Sequence, residues 1–297
     1  MDILPQLLLN ALITGSIYAL ASSGLSLTYG LLRILNFAHG HLMMVGVYMF
    51  YLANAELGLG ICESALFTAA TTTALAVVTL RIFILPFSRL SFMLTLVTTL
   101  ALSNILESLV SMGFGVSVKA LSSASGSSSL EFYGVYVTKI QLLIIASALI
   151  ILTLVAFFIH CTSAGRRIRA LSEDPSGAQS LGISRARTSY GVYIAAALLA
   201  AYAGVLVGYE TNIQPTMGTS YTIKAFAAMV LGGLGNIWGT ILGSYILGLV
   251  ENLSIGLDFG GYSIPAGYKD AFAFVVILLV LLFRPEGLLK KTVRRKA

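Results

Sequence analysis

The chain has 297 residues, of which 57% are hydrophobic and only 10% charged, with a formal net charge of +6. Apolar runs of about 20 residues, the span of a bilayer core, recur throughout and exclude an ordinary soluble globular domain. The basic residues sit at the ends of these runs rather than along a stripe, which argues against a nucleic-acid partner.

In chain order, spans are predicted at 5–31, 36–54, 64–80, 90–114, 140–160, 188–208 and 269–284, with a special region at 222–252. The expectation is an all-α polytopic membrane bundle of about 8 membrane segments, forming a single transmembrane domain over 1–297. The first run does not read as a signal peptide, because Asp2 is acidic, no basic region precedes it and a second span follows closely. With the N-terminus outside, Arg33, Arg81, Arg89, Arg166, Arg167, Arg169, Arg185, Arg187, Arg284, Lys290, Lys291, Arg294, Arg295 and Lys296 fall inside. Only Lys119, Lys139, Lys224 and Lys269 fall outside. Fourteen against four predicts N-out, C-in.

Between Arg33 and the second apolar run lies Asn36-Phe37-Ala38-His39-Gly40-His41. His39 and His41 are two apart and diverge on a helix, and with no carboxylate cluster nearby in the sequence a metal site is not expected. Glu107 is the carboxylate set well inside an apolar span. It faces a partner or a cavity, stays protonated, or snorkels to the outer boundary. The loop 115–139 contains the serine-rich stretch Ser122–Ser129, whose composition suits a solvated connection. Cys62 and Cys161 fall near opposite faces in this topology, so no disulfide is expected between them.

The charged island Gly165–Ile183, GRRIRALSEDPSGAQSLGI, interrupts this lipid-suited chain. Asp174 followed by Pro175 reads as an N-cap with proline in the first turn, and Gly182 supplies the stop. Ala178 and Leu181, at i, i+3, share a small apolar face. A helix this short gains stability mainly by docking.

The region 222–252 begins and ends on the same side by charge parity. Each half is short, and the chain breaks at Gly232-Gly233-Leu234-Gly235-Asn236. The expectation is two half-helices meeting at a glycine-rich turn inside the membrane, as transport pathways use; a single tilted long helix is the alternative. Both this break and the Asn36 segment put a turn of Gly and Asn directly before an apolar helix. Lys224 and Glu251 flank the outer ends of the broken region and are placed to pair across its mouth, while Lys269 and Asp270 read as interfacial. There is no GxxxxGK[ST] phosphate loop and no nucleophile–base motif, so no catalytic residue, metal or cofactor is expected.

The stretches Asn10–Gly30, Leu35–Gly40 (LNFAHG), Arg169–Ile183, Lys224–Gly243 and Arg284–Leu289 (RPEGLL), taken together and in this order, resemble the permease subunits of branched-chain amino-acid ABC importers of the LivH type. The resemblance implies that Glu173, Asp174, Pro175, Ala178, Leu181 and Gly182 form the coupling helix that enters a groove of an ATPase subunit. It implies a second related permease subunit, two cytoplasmic ATPase subunits and a periplasmic substrate-binding protein as partners, in a bacterial inner membrane among its lipids. Asn36, His39, Gly40, Gly232, Gly233, Gly235, Asn236 and Glu107 are then the residues expected along the translocation path. His41 departs from the pattern, since relatives commonly carry an acidic residue after LNFAHG. Permeases for urea and short amides are similar, and an ion-coupled secondary transporter is the reading from a different class.

Overall fold

The computed structural model describes residues 3–121, 129–132, 135–256 and 268–289. It is a helical bundle whose elements run α1 Leu4–Leu32, α2 His39–Tyr51, α3 Ile61–Thr79, α4 Leu85–Ser88, α5 Phe92–Phe114, α6 Lys139–Cys161, α7 Ser163–Glu173, α8 Pro175–Ser180, α9 Arg185–Glu210, α10 Met217–Gly232, α11 Ile237–Gly256 and α12 Lys269–Phe283. Among the described residues, five helices are long and apolar enough to cross a membrane: α1, α3 continued through α4, α5, α6 and α9. The pair α10–α11 passes the same test together and is bent by 117° at its break. The expected all-α polytopic membrane bundle is what the chain forms.

Helix starts follow local chemistry. Ser91 accepts from the Leu94 amide at α5, and Thr138 and Gln141 cap α6 reciprocally. Two π-helical turns, Leu52–Glu56 and Leu80–Ile84, extend α2 and α3. The second sits just before Pro86, which has no amide hydrogen with which to continue an α-helical ladder.

The core is built around α1, which is buried from Gly15 to Thr28 and packs on α9, α10 and α11. Its buried hydroxyls find partners in neighbouring helices: Ser22 Oγ lies 2.7 Å from Ser244 Oγ, and Ser16 Oγ 3.1 Å from the Tyr245 hydroxyl. In a bilayer such interhelical bonds each contribute about 0.6 kcal/mol on average, and so act as many small ties.

Three expectations change. The loop 115–139 carries an antiparallel hairpin of β1 Ser129–Phe132 and β2 Val135–Thr138, and its Lys119 pairs backbone with Ile213. The Gln6 side chain bonds both backbone groups of Tyr136, satisfying a strand edge. The serine run through residue 128 lies outside the described residues, as do the basic residues from 290 onward. The charged island is two helices rather than one, with α7 preceding the short α8. Finally, the arms of the broken region are longer than expected, running 217–232 and 237–256. At 1.5 Å per residue α11 is about 30 Å long, enough to cross a bilayer core.

Candidate functional site

Three places gather the candidate residues. The first is the irregular stretch between α1 and α2. Arg33 ends α1 with a left-handed φ of 56°, and the chain turns back into the bundle without regular structure until His39. His39 Nε2 lies 2.9 Å from the Ala21 carbonyl of α1. Ala21 is about 17 Å along α1 from its Leu32 end, near the middle of a core about 30 Å thick. Irregular backbone at that depth requires protein partners, and it has them. Asn36 Oδ1 accepts from the Ala38 amide while Asn36 Nδ2 donates to the Tyr193 hydroxyl at 3.2 Å. The Phe37 amide donates to Thr99 Oγ1 at 3.3 Å, and the Gly40 amide donates to Thr222 Oγ1 at 3.0 Å. Gly40 is required by the approach of α10: a Cβ there would stand 2.2 Å from the Gly218 carbonyl oxygen.

Beside it, His41 Nε2 meets Glu107 Oε2 of α5 at 3.3 Å. The histidine is buried and the carboxylate is 28% exposed. The two histidines diverge as the helical spacing requires, and the fold brings to His41 a single carboxylate that is distant in the sequence. Glu107 is 66 residues away and has no sequence signal linking it to His41. Among the described residues no group of three His, Cys, Asp or Glu side chains converges to hold a metal.

The second place is the glycine break. Gly233 and Gly235 adopt φ of 114° and 75°, as their positions in the turn demand. The turn lies against Tyr29 and Gly30 at the end of α1, not at mid-depth. Here the structure corrects the half-helix reading: α11 is long enough to span, so the turn falls at the end of the bundle shared with Arg33 and Arg284. The pair as a whole begins and ends at the opposite end of the bundle from this turn, where Lys224 meets Glu251. Carbonyls freed by the break are satisfied by the segment after α12: the Leu288 amide donates to Leu231 O at 2.9 Å and the Leu289 amide to Gly232 O at 3.1 Å. Asn236 Nδ2 in turn donates to Leu289 O at 3.1 Å.

At the far end of the α10–α11 pair, Lys224 Nζ lies 3.3 Å from Glu251 Oε1, as the sequence suggested. Glu251 is 0% exposed and also accepts from the Tyr18 hydroxyl at 2.7 Å, with Lys269 Nζ at 3.6 Å. Lys269 is therefore part of a buried charge cluster rather than only interfacial. Burying one carboxylate in a bilayer costs several kcal/mol, which two ammonium groups and a phenol offset. A cavity of about 430 Å³ adjoins this cluster between α10, α11 and α12.

The third place is α8. Asp174 Oδ1 accepts from the Gly177 amide at 3.0 Å, the Ser176 hydroxyl at 2.7 Å and the Ser176 amide at 3.1 Å. These bonds, that to Gly177 first, hold its carboxyl below the usual carboxylate range. Gly182 closes the helix at φ 83°, with Ile183 N donating back to Ala178 O at 3.1 Å, the pattern of a Schellman stop. Ala178 is buried against the protein while Leu181 is 84% exposed. The shared apolar face is thus divided: one residue anchors the helix and the other is presented. Glu173 ends α7, and Pro175 opens α8. Arg33 Nη2 reaches the Ser172 carbonyl, tying α7 to the end of α1.

Residues 7–281 match the protein family described as branched-chain amino acid transport system / permease component. The chain belongs to this family. The permease is 32% identical to the high-affinity branched-chain amino acid transport system permease protein BraD of Pseudomonas aeruginosa, over 96% of this chain and 95% of BraD. It is equally identical to LivH of Escherichia coli K12, over 96% of this chain and 94% of LivH. A ribose import permease of the same bacterium, RbsC, matches over only 42% of this chain at 38% identity. Among solved structures, PsaBC of Streptococcus pneumoniae is similar with a TM-score of 0.51, covering 96% of this permease and 92% of that chain at 12% identity. A metal-chelate type ABC transporter in an inward-facing conformation gives 0.50 over 94% and 85%, at 17% identity. At such identities the likeness is one of fold. The permease is a transport component of an ABC system and a multi-pass membrane protein.

Proposed function

We propose that this permease is the membrane-spanning subunit of an ATP-driven importer of branched-chain amino acids in a bacterial inner membrane, oriented N-out, C-in. It works with a second related permease, two cytoplasmic ATPase subunits and a periplasmic binding protein that delivers the substrate. The observation that carries the reading is family membership over nearly the whole chain, joined to a rigidly capped α8 that presents Leu181 to a partner. Hydrolysis occurs in the ATPases, whose closure α8 passes to α7 and so, through the Arg33–Ser172 bond, to the start of the irregular Ile34–Ala38 stretch. ATP then biases a two-state bundle by its differential binding to the two states.

Along the path we place Asn36, His39, Gly40 and Glu107, where side chains of three helices, α5, α9 and α10, hold irregular backbone at mid-depth. Gly232, Gly233, Gly235 and Asn236 act as the joint that lets α10 reverse into α11. Replacing Leu181 with Ser and Gly182 with Val tests the coupling assignment. The expected result is normal membrane insertion with loss of ATPase co-purification and of ATP-dependent uptake in proteoliposomes. Unchanged co-purification and uptake would overturn the assignment, and uptake driven by an ion gradient with this chain as sole protein would overturn the importer reading.

A further inference from the structure

A trench of about 1530 Å³ runs along α9 between α3 and α6, and apart from Leu181 and Gly182 at one end the transport reading uses none of its lining residues. Its lining extends from Arg187, near the start of α9, to Tyr209 at its end. That interval is 22 residues, about 33 Å of helix, close to the thickness of a bilayer core. The floor includes Gly191 and Ala195, whose small side chains leave the trench deep. The outer wall is α6, the most apolar of the spanning helices, which turns large aliphatic and aromatic side chains outward. Helices that pack on one another in membranes present small residues at the contact, so this wall suits lipid better than a protein helix.

One end of the trench is chemically different. Arg167 of α7 and Arg187 of α9 both line it there and both are exposed. No hydrogen bond or ion pair is formed by either side chain among the described residues. Basic pockets between membrane helices recognise anionic lipid headgroups. A furrow of bilayer length that is apolar along its walls and doubly cationic at one end has the shape and charge of a single lipid. Leu181 and Ile183 line the same end, so an occupant would touch the segment that follows α8.

We infer that this trench is a binding site for one anionic phospholipid, its phosphate held by Arg167 and Arg187 and its acyl chains lying along α9. The site does not depend on what the permease carries. The test is native mass spectrometry of the full-length chain extracted from vesicles of phosphatidylglycerol and phosphatidylcholine in equal parts. The expected result is one retained phosphatidylglycerol per chain. Retention should fall about fivefold for each of R167Q and R187Q, while phosphatidylcholine adducts stay unchanged. Ala195→Trp, which fills the trench with both arginines intact, should also expel the lipid; glycerol phosphate, which has no acyl chains, should fail to compete. Equal retention of both lipids, insensitivity to the arginine pair and to A195W, or a disulfide cross-link from A195C to the second permease in the assembled transporter would each overturn the assignment.

Discussion

Two breaks between helices, one at Ile34–Ala38 just before Gly40 of α2 and one at Gly233–Asn236, are held by different means. Around Ile34–Ala38 the free backbone groups are satisfied largely by side chains of other helices: Thr99 of α5 and Thr222 of α10, with Tyr193 of α9 securing Asn36. Around Gly233–Asn236 they are satisfied by main chain, through the amides of Leu288 and Leu289. Side-chain partners on separate helices shift when those helices shift, whereas main-chain pairing within one packed corner does not. The first interruption is suited to a moving path and the second to a fixed joint.

The largest expected effect comes from closing the first interruption. Gly40→Leu drives a side chain into the Gly218 carbonyl and Thr222, with a cost of roughly 3 kcal/mol or more. Little folded protein should survive detergent extraction and size-exclusion chromatography. A wild-type elution profile would show that α2 and α10 are not locked together there. Next is Leu288→Pro, which deletes the donor to Leu231 O and strands a carbonyl at a cost of about 1–3 kcal/mol. The thermal midpoint should drop while the ranking of transported amino acids stays the same. A changed ranking would make the glycine break part of the path and dissolve the contrast.

Smaller still is the His41–Glu107 pair. A double-mutant cycle of His41→Ala and Glu107→Gln should give a coupling of about 1 kcal/mol in stability. The Glu107→Gln variant should also alter uptake selectivity, and unaltered selectivity would remove Glu107 from the path.

The smallest effect is at α8. The Asp174 carboxyl is held below its ordinary range, so its contribution is complete above the ordinary pKa of about 4 and is lost as pH falls through the lowered value. Amide exchange at Gly177 should therefore keep its protection from neutral pH down to about 4 and lose it only below. Asp174→Asn caps without titrating and should flatten that profile. A loss that begins near neutrality would point to another group.

What could be read in the sequence was local. Asp174-Pro175 and Gly182 set both ends of α8, and the Gly232–Asn236 break was visible because glycine at positive φ has few substitutes. The pairing of Lys224 with Glu251 followed from parity. Contacts across long separations were not legible. Leu289 meets Gly232 from 57 positions away and His41 meets Glu107 from 66, and neither pair has a periodic or spacing signature. The depth of the glycine turn was misjudged for the same reason, because only the packing of Gly235 on Tyr29 and Gly30 locates it. The helix α7 was overlooked because its arginines were counted as topology markers. Yet Arg169 donates to the Ile159 carbonyl, folding α7 back on the end of α6.

The clamp by Leu288 and Leu289 also sets an order of manufacture. A ribosome makes these residues after α10, α11 and α12, so the turn between α10 and α11 leaves the exit tunnel with Leu231 O and Gly232 O still lacking their final donors. That corner must be kept wet, or held by an insertion factor, until the last helix is across. The α10–α11 turn thus completes its hydrogen bonding only after the chain has been made as far as Leu289.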